Sequence, residues 1–138
     1  MPAIEFKLKL HGPLFTGRAR ATAIRAIKGG VRELVENGEQ RLDQMLRPRP
    51  MGVFLSVAEA QRGKASTGNY RRNVNAKFQG LQARIDDGGV VYGPWLELGR
   101  AGTRFRGYAS FRRTRDFLDK EKKAVFRRHI AKAVRELN

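Results

Sequence analysis

The chain of 138 residues contains no cysteine. That excludes a disulfide framework and any zinc site built on thiolates, and it suits a reducing compartment. Only two histidines are present, His11 and His129, with no metal-ligand spacing between them, so they read as packed or solvated side chains. No apolar run approaches the ~18 residues needed to cross a bilayer. The first residues, Met1 to Glu5, have neither the basic nor the apolar region of a signal peptide, and none is expected. Acidic residues are scarce: 13 Asp+Glu stand against 29 Lys+Arg, for a net charge of +16. A chain so charged repels itself unless a polyanion or an acidic partner protein offsets the field.

What is present describes a globular protein. The hydrophobic fraction is 41%, and the length suits one domain over residues 1–138 with a core of its own. Ile4, Phe6, Leu8 and Leu10 alternate with Glu5, Lys7 and Lys9, the period of a half-buried strand over 4–10. From about 18 to 46, Ile24, Ile27, Val31, Leu34, Val35, Leu42 and Met45 recur at helical spacing, with Thr16 as N-cap. Gly29-Gly30 and Asn37-Gly38 interrupt the stripe; one helix is expected, with Asn37-Gly38 the place where it could bend or split. Arg47-Pro48-Arg49-Pro50 ends it. Residues 52–61 fit either helix or strand, and 62–69 read as a polar loop. A sheet is expected over about 70–92, with strands in Tyr70–Phe78, Leu81–Ile85 and Val90–Tyr92. Asp86-Asp87-Gly88-Gly89 is the hairpin turn between the last two. Residues 99–115 read as a basic loop and about 116–137 as a C-terminal helix. The apolar face of that helix rotates between its halves, as if it met two neighbours, one of them from another subunit.

No constellation points to catalysis. Asp86 and Asp87 could pair as acids, but Gly-Gly follows them and no third ligand lies near, so the turn reading prevails. Gly63-Lys64 lacks the upstream glycine of a phosphate-binding loop. The chain is expected not to be an enzyme, to need no cofactor and to hold no metal.

The stretch with the most character runs from Val90 to Arg115. It holds the only tryptophan, Trp95, and a single acid, Glu97, followed by Arg100, Arg104, Arg106, Arg112, Arg113 and Arg115. Trp95 is expected to be buried against the long helix. Glu97 is either a surface carboxylate or the ion-pair partner of Arg104 or Arg106. Phe105, Tyr108 and Phe111 interleave with the arginines. Such alternation could stack on bases, but packing onto the core is the expectation for the aromatics and contact with something negative for the arginines.

Three motifs in fixed order carry a resemblance. Thr67-Gly68-Asn69-Tyr70-Arg71-Arg72-Asn73-Val74 resembles the Thr-Gly-x-Leu/Tyr-Arg-x-Ser/Asn-Val entry to the sheet in the head–tail joining (neck or tail-completion) proteins of tailed bacteriophages. Val91-Tyr92-Gly93-Pro94-Trp95-Leu96-Glu97 is similar to that family's Tyr-Ala/Gly-Pro-aromatic-x-Glu segment. Arg104-Phe105-Arg106-Gly107-Tyr108-Ala109-Ser110-Phe111-Arg112-Arg113 is similar to the Arg-Phe-x-Gly-Tyr-x-x-Phe-Arg block of one branch. The likeness covers roughly 67–137. Leu98-Gly99-Arg100 departs from the Phe-Gly-Thr or Gly that often follows the Glu, and a Pro-Phe-Leu-x-Pro-Ala block is absent.

The resemblance implies an α+β fold, a small and mostly antiparallel sheet with the long helix packed across it and a C-terminal helix. It implies a structural virion protein, made in the host cytoplasm, that forms an oligomeric ring at the phage neck between the head connector and the tail tube. DNA would pass through the lumen, and no membrane would be involved. On that reading Tyr92, Trp95, Glu97, Arg104, Phe105, Arg106, Tyr108 and Phe111 serve assembly, and Arg112, Arg113 and Arg115 face DNA. The alternatives are a tail-terminator or minor tail protein and, in a different class, a small basic stand-alone nucleic-acid-binding protein.

Overall fold

The computed structural model describes residues 2–9, 19–46, 69–99, 102, 104 and 106–137. Leu10, His11, Thr16, residues 47–68, Arg100 and Phe105 lie outside the described residues, and so do the expectations that fall on them. The fold is α+β: β1 (Ala3–Phe6), α1 (Ala19–Met45), α2 (Asn69–Asn73), β2 (Asn75–Gln79), β3 (Gln82–Asp86), α3 (Gly93–Leu98) and α4 (Ser110–Leu137).

The three strands form one antiparallel sheet in the order β1-β3-β2. Ile4, Ile85 and Ala76 stand side by side in the register, as do Phe6, Ala83 and Phe78 two residues on. Those rows share one face, and Ile4, Ala83 and Ile85 on it are buried. The other face carries Glu5, Arg84 and Lys77 in one row. Arg84 Nη1 donates to Glu5 Oε1 at 2.5 Å across it, so this face is solvated. Pairing in β1 ends at Phe6, short of Leu10, yet Leu8 still packs against the core as its alternation requires.

The helix α1 is unbroken, one helix as expected, and it does not split at Asn37-Gly38. Its glycines are notches. A Cβ on Gly38 would lie 2.9 Å from Ile85 Cδ1 and 3.1 Å from Leu118 Cδ1, so the absence of a side chain lets the sheet and α4 both close on α1. At Gly30 a Cβ would meet the Phe126 ring at 2.6 Å. The two long helices run antiparallel: Thr114 reaches Met45, Leu118 meets Gly38, Phe126 meets Gly30 and the His129 ring covers Gly29. Leu34, Val35, Leu42, Ile85, Leu118 and Val125 fill the core between the helices and the sheet.

Four expectations between residues 70 and 116 need correction. Tyr70–Asn73 is helical, with Asn73 Nδ2 donating to Asn69 O at 2.7 Å to close the turn, and the strand begins only at Asn75. The hairpin lies at Gly80-Leu81, between β2 and β3, where Gly80 has φ 60° at the first turn position as a type II′ turn requires. Val90–Tyr92 is not a strand. The Asp86 and Asp87 carboxylates accept the N–H groups of Gly88 (2.8 Å) and Gly89 (3.0 Å), and these short loops turn the chain out of the sheet. Pro94, with no N–H to give, then sits in the first turn of α3. Lastly, the basic loop ends at Ala109, because α4 begins at Ser110, six residues before the expected start.

Candidate functional site

The segments that carry the three motifs belong to three separate elements, α2, α3 and the start of α4, and they meet in the fold. From α2, Tyr70 is buried and its hydroxyl donates to Asp87 Oδ2 at 3.1 Å. The Tyr70 and Tyr92 rings lie 5.9 Å apart at a tilt of 50°, and Asn69 Nδ2 donates to the Tyr92 hydroxyl. Burial first, and then the charge of Asp87, push the Tyr70 phenol up, so it stays a donor to that carboxylate. Asp87 is fully buried between the turn it caps and the entry to α3. A Cβ on Gly93 would overlap Asp87 Oδ2, so the glycine of the Gly-Pro pair is required by this close approach.

In α3, Gly93, Leu96 and Glu97 are buried. Their spacing of three and four defines the inner face of the short helix. Trp95 is therefore on the outer side and is 48% exposed, which corrects the expectation that it packs on the long helix. Leu98, at 74%, stands three residues after it on the same outer side of α3, and Val91 in the turn before the helix is 89% exposed.

Glu97 is neither a surface carboxylate nor the partner of Arg104 or Arg106. It is 9% exposed, and its two oxygens accept the first amides of α4: Phe111 N–H on Oε2 at 3.0 Å and Arg112 N–H on Oε1 at 2.8 Å. These are the amides that an N-cap side chain satisfies. The residue before α4 is Ala109, which has no side-chain oxygen, so Glu97 caps the helix from fourteen residues away. A carboxylate there also suits the positive end of the helix dipole. The backbone is held in step: Tyr108 N–H donates to Leu96 O at 2.7 Å and Ala109 N–H to Glu97 O at 3.1 Å. Gly107, at φ 83°, has room for no Cβ against Glu97 O and Gly99 N. Ala109 itself sits at φ 51°, a left-handed conformation that this strapping imposes.

Of the residues expected to serve assembly or DNA, Phe111 is buried in the core and Tyr108 packs against it. Arg104, Arg106, Arg112, Arg113 and Arg115 are exposed, the last three on the first turns of α4. Sequence reasoning missed Tyr70, Asp87 and Asn69 as members of this cluster. No sequence signal marked Asp87, since both carboxylates of the Asp-Asp pair serve the turn and only the second oxygen of Asp87 reaches Tyr70.

Elsewhere, Arg71 makes a two-pronged contact with Asp43 of α1, its Nη2 2.6 Å from Oδ2, and so ties α2 to the long helix. Glu33 takes Arg128 and His129 together, each at 2.6 Å. Among the described residues no group of three His, Cys, Asp or Glu converges as a metal site would, and no helix is long and apolar enough to cross a membrane. Comparison of the chain with protein-family models, with curated proteins and with solved structures finds no match.

Proposed function

We propose that this chain is a structural virion protein that assembles into a ring at the neck of a tailed bacteriophage, joining the head connector to the tail tube while DNA passes through the centre. The observation that carries the reading is the convergence of its three motifs. Asn69-Tyr70, Tyr92–Glu97 and Gly107–Arg112 interlock through Asn69–Tyr92 and the contacts of Glu97 with α4, and Asp87 joins the cluster by accepting from Tyr70. Tyr70, Leu96, Glu97 and Phe111, which come from the three motifs, are buried, and this mutual support is what favours the reading.

The outer side of the same unit supports assembly rather than catalysis. Val91, Trp95 and Leu98 are exposed apolar side chains at and beside α3, and the exposed Arg104 and Arg106 follow in the chain. Tryptophan and arginine beside aliphatic residues are the usual anchors of protein interfaces. The net charge of +16 favours neighbours with acidic faces and a lumen facing phosphates, with Arg112, Arg113 and Arg115 as DNA-facing residues. The same charge favours the second reading, a stand-alone nucleic-acid-binding protein. A tail terminator would form similar rings at the tube end.

Negative-stain microscopy with native mass spectrometry tests the proposal. Closed rings of one stoichiometry, formed alone or with connector or tail-tube proteins, are expected. A chain that stays monomeric in every mixture and binds DNA in the nanomolar range belongs to the second reading.

A further inference from the structure

The apolar face of α4 divides in two. Phe111, Thr114, Leu118 and Val125 are buried and recur by threes, fours and sevens, so one row of the helix serves the core. Seven residues past Val125 that row reaches Lys132, which is exposed. Ile130, Val134 and Leu137 stand on a different row, and each of them is exposed. Followed back along the helix at the same spacing, their row passes through Arg127, Lys123 and Lys120, all exposed. Lys120, Lys123, Arg127, Ile130, Val134 and Leu137 thus repeat at intervals of three, four, three, four and three, the spacing of a coiled-coil seam.

The two halves of this stripe differ in kind. In the apolar half, Ala23, Ala26 and Ile27 of α1 close the inner side of the row around a cavity of about 60 Å³ lined only by apolar side chains. In the basic half, the three cations repel one another at spacings of three and four. None of the three makes an ion pair among the described residues: Asp119, a turn before Lys123, goes to Lys122 at 3.2 Å instead, and Asp116 lies one turn beyond the row. A helix face that serves only solvent has no need of three aliphatic side chains in line, and one that serves only the fold has no need of the repulsion.

The charge pattern decides what fits. Two copies of the stripe side by side set cation on cation when parallel and cation on aliphatic when antiparallel. The acidic half of α1, with Glu36 and Glu39, gives a second copy no large exposed apolar side chain to offer. A membrane surface takes a helix whose apolar face runs its whole length with cations at the flanks; here cations and aliphatics follow one another along the axis. We propose that the outer stripe of α4 from Lys120 to Leu137 is the docking site of an amphipathic helix of another protein, acidic where it meets Lys120, Lys123 and Arg127 and apolar where it meets Ile130, Val134 and Leu137. Eighteen residues of helix span about 27 Å, room for a partner helix of about five turns. The aliphatics supply affinity and the cations fix direction, because a reversed helix sets its carboxylates on the aliphatics. The inference deepens the proposed function by giving the chemistry of one neighbour, and its test uses the free chain and needs no ring, so either can fail alone.

The test is fluorescence anisotropy of labelled synthetic peptides of about eighteen residues, titrated with the parent chain and its variants. Two peptides carry leucines at one end of a helical seam and glutamates at the other, in the two possible orders. A third interleaves the same residues, and two more replace glutamate by lysine in the segregated sequences. One segregated acidic peptide should bind more than about tenfold tighter than the interleaved one, and Ile130→Ser/Val134→Ser/Leu137→Ser should lose that difference. Lys120→Glu/Lys123→Glu/Arg127→Glu should weaken the acidic peptide and bind a lysine peptide more tightly than the parent does, a change of preference that misfolding does not produce. Lys123→Gln/Arg127→Gln should lose more than the charge-matched Lys9→Gln/Lys77→Gln. Circular dichroism melts check that the variants fold. Equal binding of segregated and interleaved peptides overturns the proposal, and so does an equal loss in the two charge-matched variants. Self-association of the parent in sedimentation velocity that the triple-Ser variant loses overturns it in favour of a second copy. Binding to phosphatidylserine vesicles that the same variant loses overturns it in favour of a membrane.

Discussion

Replacing Glu97 removes the cap of α4 from a distance, and the structure sets the size of the effect. The parent carboxylate accepts two amides, one of them from the buried Phe111. In Glu97→Ala both N–H groups lose their acceptor and the negative charge leaves the positive end of the helix. The loss of an N-cap costs about 1 kcal/mol and a hydrogen bond to a charged group about 1.5–3 kcal/mol, so a destabilisation of roughly 2–4 kcal/mol is expected. Glu97→Gln keeps one acceptor, turns an NH2 toward the other amide and removes the charge, for about 1–2 kcal/mol. Urea melts at neutral pH measure both. Hydrogen exchange gives the local readout: the Phe111 and Arg112 amides should lose protection before those further along α4. A Glu97→Ala variant within about 0.5 kcal/mol of the parent, with those amides still protected, would refute the capping argument.

Further predictions follow from the same geometry. Tyr70→Phe should cost about 1–3 kcal/mol in urea melts, since the buried Asp87 loses its hydroxyl donor, and Gly93→Ala should cost more because a methyl displaces that carboxylate. Trp95→Ala should cost under about 1.5 kcal/mol, as the ring is 48% exposed, while weakening assembly in sedimentation experiments. Glu33 is held below the usual carboxylate range, first by its hydrogen bond from His129 and then by Arg128, against the opposing effect of burial. Its folded pKa is depressed, so its contribution to stability is complete above the ordinary value of 4.5 and is lost as the pH falls through the folded value. Melts of Glu33→Gln and the parent should therefore differ near neutral pH and converge in acid.

Periodicity made the regular parts of the fold legible. Ile4, Phe6 and Leu8 face the core as their alternation required, and the apolar stripe of α1 reads directly from Ile27, Val31, Leu34 and Leu42. Its glycines misled, because propensity sees a weak point where packing needs a notch at Gly30 and Gly38. Of the short elements, α2 was not legible, and the sequence left the piece that ends at Leu98 open between helical and extended. In α2 and α3 the fold is decided by contacts across the chain, Tyr70 to Asp87 and Glu97 to α4, which leave no local trace. The start of α4 was missed because Ala109 is no N-cap and the true cap lies in another helix. Trp95 was misplaced because its position just after the Gly-Pro turn was taken to point it inward; the spacing of Gly93, Leu96 and Glu97 turns it outward.

The central claim is that the chain works as part of a ring around DNA, and native mass spectrometry of the purified chain, alone and mixed with connector or tail-tube proteins, tests it most directly. The account predicts closed oligomers of one stoichiometry, lost in Trp95→Ala while the variant stays folded, and duplex binding by the free chain well short of the ~10 nM of specific binders. A monomer in every mixture that holds duplex at nanomolar affinity would contradict it.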